Sequence, residues 1–252
     1  MLFYKLAQTQ FNRSKSAVQN SFRTRLKTID CPSQFSSFST VSFAFYSPLG
    51  FKAQTMMTQT HLLLAAGLFV RPGHKKRNTA VMAGAFIPDL SIYILAAYAY
   101  ISGIPGRTLW TQTYWTEPWQ TLSAISNSFP LYLAVLAVAL VIAAPKDGRP
   151  RWQSLPALVC LAALLHLATD FPVHHDDAHV HFWPLSEWRF NAPLSYWDRD
   201  HYGGIVSIIE ALLGLALMAI LFRRFKAGWV RIVLGLAIAA YIAVPVFFLL
   251  TT

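Results

Sequence analysis

Beyond residue 55 the chain is a succession of apolar stretches separated by short polar joints. The pattern predicts a short apolar helix over 60–70 and a long one over 78–101. Further helices are predicted over 129–144, 154–171, 204–222 and 228–250. Crossing a bilayer takes roughly 17–25 apolar residues. The last five runs are near or above that length, 129–144 being the shortest. The first is too short to cross and reads as re-entrant or half-inserted. No internal repeat is evident. The expected fold is all-α: a polytopic membrane helix bundle of five or six segments, occupying residues 56–252.

Composition narrows the class. Hydrophobic residues make up 55% of the 252 and charged residues only 13%. Mean hydropathy is +0.41. A soluble domain carries about 25% charged residues. Half of that cannot clothe a water-facing surface, which argues against a soluble enzyme, a disordered protein and a disulfide scaffold. Of the two cysteines, Cys31 lies in a polar leader and Cys160 in an apolar run. That placement suggests neither a disulfide nor a cysteine metal site.

Residues 1–55 are of another kind. They carry seven basic residues, nine serines and a single acid, Asp30. Arg- and Ser-rich, acid-poor composition is the pattern of an organelle transit peptide. The plainer reading is that translation starts at Met56 or Met57, the leader being a start-site miscall or a disordered tail. Under either reading 1–55 stand outside the fold.

Charge then sets an expected orientation. The joints 71–77, 145–153 and 223–231 hold eleven basic residues, from Arg71 to Arg231. The alternate connections 102–128 and 172–203 hold three: Arg107, Arg189 and Arg199. Cytoplasmic loops carry the excess of Lys and Arg. The net charge of +10 is therefore mostly topology and leader, with little case for nucleic acid. The expected partner is the lipid bilayer, and the expected location a bacterial inner (cytoplasmic) membrane. Trp110, Trp115, Trp119, Trp183, Trp188 and Trp197 cluster in the two weakly charged connections. Interfacial aromatic anchors are placed in that way.

Ionisable groups inside membrane segments are costly and usually functional. Asp89 follows Pro88 eleven residues into the second run, roughly 16 Å deep at 1.5 Å per residue. His166 lies about as deep in the fourth run, and Asp170, four residues on, shares its face. His61 opens the first short helix, and Glu210 lies six residues into the fifth run. The outer connection adds His174-His175-Asp176-Asp177-Ala178-His179-Val180-His181. Imidazole and carboxylate suit zinc, manganese, iron or nickel. If the helices of Asp89 and His166 pack together, these two should converge with Asp170 and His61. The loop histidines should lie above, at least one turned inward. Plainer readings stand beside this one. Asp89 can cap a helix break, His166 and Asp170 can bond each other, Glu210 can be interfacial, and the loop can be a solvated turn.

Several of these residues sit in motifs. Thr60-His61-Leu62-Leu63, Ile87-Pro88-Asp89-Leu90, and Leu165-His166-Leu167-Ala168-Thr169-Asp170 with Phe182-Trp183-Pro184 occur in that order. Over roughly 60–190 the chain resembles the YdjM-type family of membrane-bound, metal-dependent hydrolases. The resemblance implies His61, Asp89, His166 and Asp170 as site residues. It departs at one place: the family's His-Arg-Gly-x-Thr-His-Ser block reads Ile125-Ser126-Asn127-Ser128-Phe129-Pro130 here. Only Ser128 is kept. The loop histidines, His201 or Tyr202 are the available replacements. Sequences with a His-His-Asp-Asp loop and a Ser-Tyr-Trp-Asp-Arg stretch are sometimes labelled CobQ-like, for cobalamin biosynthesis. The chain has no phosphate-binding glycine loop and no Cys/His amidotransferase arrangement to support that chemistry.

The expected function is a metal-dependent hydrolase acting on an ester or phosphoester near the outer face. Its cofactor would be a divalent metal such as zinc. Expected metal ligands are His61, Asp89, His166, Asp170, His174 and His175, with the water's proton going to Asp170, Asp176 or Asp177. Ser128, His179, His181 and Glu210 are further polar members. The alternatives are metal handling or a proton or cation relay without hydrolysis, and a membrane scaffold whose polar groups lock helix packing.

Overall fold

The computed structural model describes residues 58–142, 150–196 and 198–251. The leader, Cys31, the candidate starts Met56 and Met57, the basic Lys146 and Arg149, and Trp197 lie outside the described residues. The described residues form helices and connections, with no strand among them. In chain order the α-helices of ten or more residues are α1 (Thr58–Phe69), α2 (Lys75–Phe86), α3 (Leu90–Ile101) and α4 (Glu117–Ser126). They are followed by α5 (Phe129–Ile142), α6 (Leu155–Asp170), α7 (Gly203–Arg224) and α8 (Gly228–Thr251).

Among the described residues four stretches are long and apolar enough to cross a membrane: Lys75–Ile101, Glu117–Ile142, Leu155–Val173 and Gly203–Arg224. The shortest has 19 residues, or roughly 28 Å at 1.5 Å per residue, against a hydrocarbon core of ~30 Å. Helix α8 is a further apolar helix. Helix α1 has 12 described residues, roughly 18 Å of helix, short of the hydrocarbon core. It packs on α2, α6 and α7 and buries His61, Ala65 and Ala66.

The structure differs from the expected pattern over 102–128. That stretch is not simply a connection: α4 occupies Glu117–Ser126 and leads into α5. Pro118 in its first turn suits a helix start, and Thr116 before it is extended. The helix carries Glu, Gln, Thr and Ser among its apolar residues, so no apolar run announces it. Asn127 and Ser128 break the helix before α5 begins.

Two features position the site. Helix α2 crosses α6 at van der Waals contact, where Gly84 meets the backbone of Val159; a Cβ on Gly84 would overlap the Val159 carbonyl. Small residues let membrane helices approach so closely, and Val81, Ala85, Leu158 and Ala162 are fully buried beside this contact. The second feature is the 3-10 turn Ile87–Asp89 between α2 and α3. It keeps the run helical through Pro88 and tightens its register to i→i+3.

Candidate metal centre

His166 on α6 is 1% exposed. Its Nδ1 lies 2.8 Å from the Ala85 carbonyl oxygen on α2. A carbonyl only accepts, so Nδ1 carries the hydrogen and Nε2 of the neutral ring keeps the lone pair. Pro88, three residues on, has no N–H to offer that carbonyl. His166 Nε2 is buried with no hydrogen-bond partner. It stands 3.5 Å from Asp89 Oδ1.

His61 on α1 is arranged in the same way. Its Nδ1 lies 3.1 Å from Thr169 Oγ1. That hydroxyl donates to the carbonyls of Leu165 and His166, so its lone pair accepts from Nδ1–H. Nε2 of His61 is left facing Asp170 Oδ1 at 3.3 Å. A lone pair against a buried carboxylate oxygen is repulsive unless a proton or cation lies between them. Metal-bound histidines are held by such a carbonyl or hydroxyl on the other ring nitrogen. For metal–ligand bonds of ~2.0–2.1 Å, neighbouring ligands of a tetrahedral ion stand about 3.3 Å apart. The rings of His61 and His166 stack at 3.7 Å with 19° between planes. Their lone pairs therefore lie in nearly parallel planes, and in-plane bonds to one ion require one ring to turn.

Asp89 is the least buried of these groups, its side chain 16% exposed. Its Oδ2 accepts from Thr58 Oγ1 at 2.6 Å, and Tyr93 donates to the same Thr58 hydroxyl. This leaves Oδ1 directed at His166.

The loop closes the other side. A 3-10 turn, Phe171–Val173, carries the chain from Asp170 to His174. His174 Nε2 lies 3.0 Å from Asp170 Oδ1 and Nδ1 lies 3.0 Å from Asp177 Oδ2. The second contact is close but lacks an aligned hydrogen bond. Tyr196 donates to Asp177 Oδ2 at 3.2 Å. Burial opposes a charge on His174, but the carboxylates of Asp170 and Asp177 outweigh it and bring the imidazole up to about 10. His179 is the converse: burial, then the charge on His174, push it down to about 3. The His179 and His174 rings stand 4.9 Å apart. His179 Nδ1 contacts Ser123 Oγ on α4 at 3.2 Å.

Two three-residue groups result. The ligand atoms of His61, His166 and Asp170 lie within 4.8 Å of one another, as do those of Asp170, His174 and His179. All five side chains are buried. The loop is fastened over them. His181 Nδ1 donates to the Asn127 carbonyl. Arg189 donates to the Ala178 carbonyl and to Gln120 Oε1 on α4. His174 and Val173 carbonyls accept from the N–H groups of Ala192 and Tyr196.

Other expected members lie elsewhere. His175 faces away from the centre: Nδ1 donates to the Ala192 carbonyl, Asp176 is 3.5 Å from Nε2, and its ring stacks on His201 at 3.6 Å. Asp176 has a 65% exposed side chain. His201 pairs with Asp198 at 2.7 Å in the same rim cluster. Ser128 caps α5, accepting from Leu131 N–H and donating to the Trp183 carbonyl. Glu210 is buried on α7 and belongs to neither group of candidate ligands. His181 is buried with Nε2 unpartnered and belongs to neither group as it stands. Thr58, Tyr93, Thr169, Ser123 and Tyr196 are members the sequence did not single out; only their positions near Asp and His in space reveal them. Comparison of the chain with protein-family models, with curated proteins and with solved structures finds no match, so the case for this centre stands on its own geometry.

Proposed function

We propose that this integral membrane protein binds a divalent metal at the His61–Asp89–His166–Asp170 centre and uses it to hydrolyse an ester or phosphoester. One observation carries the metal: His166 gives its Nδ1–H to Ala85 and leaves a buried Nε2, without an aligned hydrogen-bond partner, 3.5 Å from a carboxylate oxygen. An all N/O donor set suits zinc, manganese or iron. A bound ion of this kind brings its water's pKa toward ~7. The protein's own groups do the rest. Ala85 and Thr169 hold the imidazoles, and Thr58 turns Asp89 Oδ1 inward.

Hydrolysis is supported by the resemblance to YdjM-type proteins, whose expected site residues are those that meet here. The missing histidine block has a counterpart in space. His179 and His181 from the loop contact Ser123 and the Asn127 carbonyl, and Phe129 N–H donates to the His181 carbonyl. Two histidines thus reach, from the loop, the segment where the family carries two of its own.

A second reading has its own observation. Asp89–His166, His61–Asp170 and His174–Asp177 contacts, joined by the His61–His166 stack, form one buried series of titratable groups from mid-bundle to loop. Such a series suits a proton or cation relay. Metal analysis of the protein purified in mild detergent, with His166→Ala and Asp170→Ala beside it, tests the centre. Stoichiometric metal lost in both variants supports it; equal metal in all three overturns it. Hydrolysis of an ester and phosphoester panel, set against cation uptake into liposomes, separates the two activities.

A further inference from the structure

We infer that Asp170 bridges two divalent cations, one held with His61 and His166 and the other with His174 and His179. This deepens the metal reading above and rests on it. Asp170 and the four histidines around it make five candidate ligands, but zinc-type sites take four, in a tetrahedron. The five do not form one cluster. They separate into two groups that share only Asp170. Asp170 Oδ1 stands 3.3 Å from His61 Nε2 on the helix side and 3.0 Å from His174 Nε2 on the loop side. A single carboxylate between two imidazole sets is the arrangement of two-ion centres, whose ions lie ~3.5–4 Å apart.

Each half also has its own support. On the helix side, the 1% exposed His166 keeps an unpartnered Nε2. Beyond the loop-side set stands Asp177, against Nδ1 of His174 and itself held by Tyr196. A carboxylate on one nitrogen of an imidazole leaves the other for an ion, as in carboxylate–histidine–metal triads. Asp177 is then a positioning residue for His174. The ligand class is a pair of first-row divalent cations such as Zn2+ or Mn2+, since no thiolate stands among these donors.

The test is stoichiometry on the full chain in detergent, equilibrated with Zn2+ and freed of excess. Wild type should hold two ions per chain. His61→Ala and His179→Ala should each hold one, with helicity and elution unchanged. Loading with Mn2+ gives an independent readout. Wild type should show a spin-coupled paramagnetic resonance signal that His179→Ala replaces with that of an isolated ion. Asp170→Asn, which keeps the side chain's shape, should also lose the coupling. One ion in wild type, with an uncoupled signal, overturns the bridge and leaves the metal reading standing. A chain that binds no ion overturns both.

Discussion

His166 hangs on Ala85: its Nδ1 lies 2.8 Å from the Ala85 carbonyl oxygen on the facing helix. The bond spans a close helix crossing, where Gly84 next door rests on the Val159 backbone. Gly84→Ala should therefore act on the site from a distance. The added methyl must part α2 from α6, and overpacking of this kind costs about 1–3 kcal/mol. Thermal unfolding in detergent should move down, and metal affinity should fall with it as the His166 contact lengthens. An unchanged midpoint would mean that the crossing relaxes without cost.

Asp177→Asn removes the carboxylate beside His174 while keeping its size. Loss of such a supporting carboxylate typically lowers metal affinity by roughly 10–100-fold. Competition with a chelator should register the fall for the ion held by His174, while the ion held by His61 and His166 stays. Asp176→Asn, at an exposed position, should leave both unchanged.

Metal binding at His174 should depend on pH with a definite sign. The flanking carboxylates hold that imidazole protonated up to about 10. An ion binds only the deprotonated form, so between pH 7 and 9 affinity should rise roughly tenfold per pH unit. One proton should appear in weakly buffered solution for each ion bound there. The metal-free protein runs the other way. A raised folded-state pKa stabilises fully below the ordinary value of 6.5 and is lost as pH climbs through about 10. Unfolding curves with and without metal should therefore diverge as pH rises.

The asymmetry of eleven basic residues to three predicts the orientation. In a chain with Cys31 and Cys160 replaced, Glu187→Cys should react with an impermeant thiol reagent added outside intact cells. Ala227→Cys should not. Both positions are exposed in the structure. The reverse pattern would put the histidine loop in the cytoplasm.

The bundle was legible because apolar runs of membrane length have few other uses. His61, Asp89, His166 and Asp170 stood out for the same reason: charge and imidazole are conspicuous against Leu and Ala. The structure brings these four together. Their partners were hidden. Thr58, Tyr93 and Thr169 carry hydroxyls that blend into any helix, and the Ala85 carbonyl has no side-chain signature at all. Helix α4 was hidden by its mixed polar composition. Within the loop, the sequence offered His174 and His175 as equals. The backbone at His174 is extended, and neighbours on extended chain point to opposite sides. One therefore faces Asp170 and the other the rim, a choice that depends on register rather than on residue type.

The fastening of the loop has a consequence for time rather than affinity. Arg189 spans from Ala178 to Gln120, and His179 and His181 reach Ser123 and Asn127, so the loop is tied to the α4–α5 segment at several points. The five candidate ligands beneath it are all buried. An ion leaving, or a chelator entering, on the loop side must wait for those bonds to open. Exchange should then be paced by the opening of the loop, slow in wild type and fast in Arg189→Ala, even where the two bind metal equally well at equilibrium. In the cell, the ion taken up as the loop first docks would be the one retained.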